Sequence, residues 1–153
     1  AYEIKECDWS SDVCSSDLVT GSSITVSTST NTKVAFNTEL FDTASCYDST
    51  TNYRFTPNIA GYYQFSFAAQ MDYVSSGRVM VWLYKNGSQF MFQEQNLNSP
   101  ASTYPSVTFN ALAYANGSTD YFEIYAQHGA GANRNTTANR AFTNFAGVMV
   151  RGA

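Results

Sequence analysis

The sequence predicts an all-β protein, an antiparallel sandwich or barrel, and three observations carry that expectation. Short runs alternate apolar and polar residues, Asn-Gly pairs stand between some of them, and no segment shows a convincing amphipathic helical repeat. Composition agrees, since only 13% of the 153 residues are charged while 16% are aromatic, with many Ser, Thr and Asn between the aromatic runs. One domain accounts for this length. No apolar stretch approaches the roughly 20 residues that span a bilayer, so no membrane insertion is expected.

The first eighteen residues stand apart. AYEIKECDWSSDVCSSDL, residues 1–18, has a high charge density and no clear periodicity, and DWSSDVCSSDL resembles a translated short-read sequencing adapter. They are expected to be a non-native segment outside the fold. Setting aside Lys5 together with Glu3, Glu6, Asp8, Asp12 and Asp17 leaves seven basic and seven acidic residues, so the remaining module is neutral. A neutral surface lacks the clustered Lys and Arg that nucleic acid requires. Cys7 and Cys14 also drop out, which leaves Cys46 as a lone, partly buried thiol with no disulfide.

Residues 19–32 form a Ser/Thr-rich lead-in, and strand patterns follow from residue 33 to the C-terminus. They fall at 34–40, 62–73, 78–85, 88–94, 106–114, 120–127 and 142–150, each placing alternate residues on one face. Asn86-Gly87 and Asn116-Gly117 each sit between two such runs, where tight hairpins demand positive φ. Polar stretches 96–106 and 128–140 are the longest gaps and are expected to be exposed recognition loops. In the run 78–85, Val79, Val81 and Leu83 oppose Met80, Trp82 and Tyr84. A strand apolar on both faces predicts a second covered surface, supplied by neighbouring subunits.

A spaced pattern adds detail to this reading. Phe36, Asp42, Tyr47, Phe55, Gly61, Tyr63, Phe65 and Phe67 follow the order and, apart from one extra residue between Tyr47 and Phe55, the spacing of a known signature. Phe145 and Gly147 open an apolar closing strand through Val150. On these residues the chain resembles the complement C1q globular-head and tumour-necrosis-factor-like family. That resemblance implies a jelly-roll β-sandwich, assembly with itself as a homotrimer, and an extracellular or virion-surface location. Independently of it, Tyr63, Phe65 and Phe67 share one strand face and should bury their rings, while Tyr62, Gln64 and Ser66 face away. Gly61 is expected to permit a tight backbone where that strand begins.

Enzyme chemistry finds little support. His128 is the only histidine, in a Gly-rich stretch, and no nucleophile elbow, zinc-protease helix, paired C-x-x-C or phosphate-cradling loop is present. Glu94 and Glu123, the mid-strand glutamates, have nothing in the sequence to bring them together as a glycosidase pair. No cofactor is expected. Calcium, implied by some relatives of the complement head, would need Asp42, Asp48 and Asp72 to converge, against the ordinary reading of three solvated loop carboxylates. Sequons at Asn86, Asn116 and Asn135 matter only in a eukaryotic secretory host. The resulting expectation is a trimeric fibre head binding a cell-surface glycan or protein through Tyr104, Asn133, Arg134, Asn135 and Arg140. The alternative is a trimerisation cap without tight ligand binding.

Overall fold

The computed structural model describes residues 13–153. Along them run β1 Ser15–Val19, β2 Thr25–Val26, β3 Thr32–Lys33, β4 Thr38–Asp42, β5 Tyr47–Asp48, β6 Arg54–Phe55, β7 Ala60–Gln70, β8 Val74–Lys85, β9 Ser88–Thr103, β10 Ser106–Asn116, β11 Phe122–His128, β12 Arg134–Asn135 and β13 Asn144–Gly152. Five form one sheet in the order β10-β7-β13-β1-β4, and a six-stranded sheet follows β5-β6-β11-β8-β9 with β3 added on β11. β12 and β2 pair separately. All strand pairs are antiparallel. The protein is therefore an all-β jelly-roll sandwich, as expected.

The core lies between the two sheets and is largely aromatic. In β7 the burial alternates strictly, with Tyr63, Phe65 and Phe67 inward. Phe65 is the hub: its ring centroid lies 4.5 Å from Phe122 of the facing sheet, 5.4 Å from Phe55 and 5.9 Å from Phe145. Phe36 touches Phe67 at 6.0 Å and Phe145 at 5.6 Å. Aromatic pairs at these spacings add to the burial of large apolar areas. Two glycines are dictated by this packing. A Cβ on Gly147 would come within 2.8 Å of Phe55 Cε2, and one on Gly61 would strike the Arg151 carbonyl oxygen.

Several expectations need correction. Cys7, Lys5, Glu3, Glu6, Asp8 and Asp12 lie outside the described residues, but residues 13–18 do not lie outside the fold. β1 is paired with β13 on one side and β4 on the other. Cys14, Ser16 and Leu18 alternate inward, a period-two pattern that the flanking polar residues obscured. Cys46 is consequently no lone thiol: it is bonded to Cys14, with Cα atoms 5.9 Å apart. The run 34–40 begins its strand only at Thr38, although Val34 and Phe36 are already fully buried.

The two Asn-Gly pairs differ. Asn86 and Gly87 both have positive φ, at 54° and 75°, and close the β8–β9 hairpin. Asn116-Gly117 instead links strands of different sheets. There the Asn116 side chain accepts the amides of Ser118, Thr119 and Asp120, making a crossover turn. Stretch 96–106 is also no loop, because β9 continues through Thr103 and only 104–105 connect it to β10. As the edge of its sheet, β9 tolerates polar residues that a central strand would not.

Candidate assembly and ligand surfaces

The outward face of the five-stranded sheet is built by register. Leu112 of β10, Gln64 of β7 and Val148 of β13 form one cross-strand row, and Tyr114, Tyr62 and Arg151 form the next. Tyr62 and Tyr114 meet edge to face at 5.6 Å. Leu112 and Val150 are each 54% exposed, and an open hollow of about 300 Å³ lies between Tyr62, Leu112, Val150 and Arg151. Toward β1 the face continues into a second hollow of about 410 Å³, bounded in part by Phe41, Ser66, Arg140 and Val148. Single exposed apolar side chains are ordinary on a protein surface, whereas these are contiguous on one sheet face. An apolar strip along the β9 edge exposes Phe90, Met91 and Phe92, with Phe92 beside Trp82 on the outward face of the six-stranded sheet and Met91 beside Leu83 on the inward one.

The outward face of the six-stranded sheet is finished differently. Met80 and Trp82 are only 7% and 5% exposed, so the doubly apolar strand is covered within one chain. Cross-strand neighbours do this: Tyr125 and Phe92 stand opposite Trp82, and Gln127 and Glu94 opposite Met80. The second covered surface expected from β8 is thus internal, a correction with a simple cause, since long side chains of adjacent strands shield one another. Beyond Trp82 the face becomes polar. The Tyr84 hydroxyl accepts from Asn31 at 2.9 Å and Gln89 at 3.3 Å, while Lys33 binds Glu123 at 2.6 Å. Burial alone would lower the Lys33 pKa, but the hydrogen bond and charge of Glu123 outweigh it and raise it. Glu94 instead faces Arg78 at 3.8 Å, so the two mid-strand glutamates each have a separate cation.

At one end of the sandwich the expected ligand residues gather. Tyr104, 63% exposed, precedes Pro105, whose carbonyl accepts the Met71 amide at 2.9 Å. The next residue, Asp72, donates its amide to the Asn135 carbonyl at 2.7 Å and accepts the Asn135 amide at 3.3 Å. Tyr104, Tyr73, Arg134 and Asn135 are therefore tied to one junction, with exposed Asn133 just before β12. Arg140 is not brought there. Its guanidinium bonds Asp17 at 2.6 Å and lines the hollow on the five-stranded sheet. The Asp72–Asn135 junction carried no local sequence signal, because it joins residues 63 positions apart.

The opposite end is where β7 begins and β13 finishes. The Ala153 amide bonds the Ala60 carbonyl, the Met149 amide bonds the Cys14 carbonyl, and both Asn-Gly turns lie beside them. Asn86 and Lys85 converge there on Asp120, at 2.8 and 2.9 Å. Burial alone would raise the Asp120 pKa, but its bonds from Asn86, Lys85 and the Asn116 amide lower it.

The signature carboxylates have structural partners. Asp42 accepts the amides of Cys46 and Tyr47 at 3.0 and 2.8 Å, and the Ser16 hydroxyl at 2.9 Å. Asp48 closes a turn by accepting the amides of Thr51, Thr50 and Asn52, which hold it below the ordinary carboxylate range. Asp72 belongs to the far junction, so the three aspartates do not converge. Among the described residues no group of three or more His, Cys, Asp or Glu is placed to hold a metal ion, and no helix is long and apolar enough to cross a membrane.

The aromatic hub, the glycine against it and the closing strand agree with a sequence-family match: the model of the C1q domain spans residues 19–150. This chain belongs to the C1q domain family. The matched span starts at Val19, just past the adapter-like words. As a C1q domain the chain superimposes on murine APRIL with a TM-score of 0.69 at 9% identity, covering 90% of this chain and 99% of that one. The globular domain of zebrafish complement 1qA gives 0.59 at 17% identity, covering 92% and 99%. The PRD1 vertex protein P5 gives 0.64 at 14% identity, covering 91% and 98%. At these identities the likeness is one of fold. No curated protein sequence matches the chain.

Proposed function

We propose that this C1q domain is the non-enzymatic head of a homotrimeric fibre, working outside the cell or on a virion surface. Three copies would present their tip junctions to a cell-surface glycan or protein. One observation carries the reading: a single chain exposes two different apolar surfaces, the Tyr62–Leu112–Val150 face and the β9 strip. Two unlike patches fit a heterologous contact, and such contacts close into rings when the rotation permits. Trimers are the assembly expected of this family, and three weak sites on one head multiply avidity.

Tyr104, Tyr73 and β12 lie at the end of the sandwich opposite Cys14 and Ala153, and that end would be the distal tip of the head. The role calls for no cofactor. Tyr104→Ala combined with Arg134→Ala tests it, using labelled protein on a glycan array and on whole bacterial cells. Binding by the parent and its loss from a variant of unchanged mass is the expected result. Equal binding by both proteins would reject the tip assignment, and binding by neither would favour a trimerisation cap.

A further inference from the structure

His128 ends β11 and is fully buried, not a loop residue open to solvent. Both ring nitrogens are engaged. The Ala130 amide donates to Nδ1 at 3.2 Å, which makes Nδ1 an acceptor and places the proton on Nε2, which donates to the Val26 carbonyl at 2.8 Å. The His128 carbonyl also accepts the Ser29 amide at 2.8 Å. Close by, the Gly131 amide donates to the Thr28 hydroxyl at 3.2 Å. One residue thus ties the end of β11 to the lead-in around β2 and to the turn that opens stretch 128–140. Val26 in turn carries Arg134 of the tip.

A second proton on this ring can go only to Nδ1, where it would face the Ala130 N–H and break that bond. No carboxylate stands ready to replace it, because no ion pair to His128 occurs among the described residues. The charged groups on the surrounding elements are Arg134 on β12, Arg78 beside Val79 and Lys85 at the far end of β8, Glu94 on β9, Glu123 on β11, Lys33 on β3 and Asp72 at the junction. Four are cations, Glu94 faces Arg78 at 3.8 Å, Glu123 is paired with Lys33 at 2.6 Å, and Asp72 accepts the Asn135 amide.

We infer that His128 is a proton-operated latch. Neutral, it locks segments 26–29 and 129–131 onto β11; protonated, it releases them, so that the base of the tip loosens in acid. The inference holds whatever the tip binds. A single proton taken up on opening can change the open-to-closed ratio by at most about tenfold per pH unit.

Hydrogen exchange on the whole chain, corrected for intrinsic rates, between about pH 7.5 and 5.0 tests this in a window where ordinary carboxylates stay ionised. The Ser29 and Ala130 amides should lose protection by up to about tenfold per pH unit as the pH falls across this window, while the Phe65 amide in β7 keeps its own. In His128→Gln, whose amide can still bond Val26 without titrating, their protection should not vary with pH. Flat protection in the parent, or the same acid loss in His128→Gln, overturns the latch. If the variant does not fold, ring ¹⁵N shifts of the parent decide. Nδ1 taking up a proton in step with the loss of protection supports the latch. Uptake with Ser29 and Ala130 still protected, or loss of protection without uptake, overturns it.

Discussion

The two outward faces of this sandwich are made from similar strands and finished in opposite ways. On the six-stranded sheet, Met80 and Trp82 are large and apolar yet covered, because Tyr125, Phe92, Gln127 and Glu94 stand over them from the neighbouring strands. On the five-stranded sheet, Leu112, Tyr114, Tyr62, Val148 and Val150 are apolar and open. Leu112 and Tyr114 lie on the edge strand β10, with a neighbouring strand on one side only, whereas Met80 and Trp82 on β8 are flanked on both. An apolar strand is therefore a poor sign of an interface by itself. What matters is whether strands on both sides supply side chains that bury it within one chain.

The contrast is most strongly challenged by charge. Leu112→Asp with Val150→Asp should abolish assembly, dropping the mass in light scattering threefold, because two carboxylates would be desolvated against an apolar partner. Gln127→Asp on the other face should leave the mass unchanged. If both variants behaved alike, the distinction between the faces would have no bearing on assembly.

Phe65→Ala sharpens the comparison from beneath, since its ring joins the two sheets through Phe55, Phe122 and Phe145. It should cost about 3–5 kcal/mol of unfolding free energy in urea titrations. A smaller loss, under about 1 kcal/mol, would mean that the hub is not shared by both sheets.

The smallest expected effect concerns β1, which completes the five-stranded face beside β13. Cys14→Ser removes a crosslink between residues 32 apart and should lower stability by about 2–4 kcal/mol without changing the mass. A variant as stable as the parent would show that the Cys14–Cys46 crosslink adds nothing to the domain. That result would agree with the family match, which starts at Val19.

Much of the fold was legible because its signals are local. The alternation in β7 placed Tyr63, Phe65 and Phe67 in the core from spacing alone, and Asn86-Gly87 marked its hairpin correctly. β1 was hidden because serines and an aspartate fill a strand between two partners, so sheet pairing outweighs composition there. The tip was half legible. Polar composition pointed to Tyr104 and Asn133 through Asn135, but the Asp72 junction and the turning of Arg140 toward Asp17 depend on contacts between distant parts of the chain. His128 looked like a loop residue for the same reason, since its partners Val26 and Ser29 lie about a hundred positions away.

Sedimentation velocity at micromolar concentration distinguishes a trimer from a lone chain. A single species at three times the 16.9 kDa chain mass is predicted. A single species at 16.9 kDa would contradict the proposal that the open face and the β9 strip cover each other in a trimer.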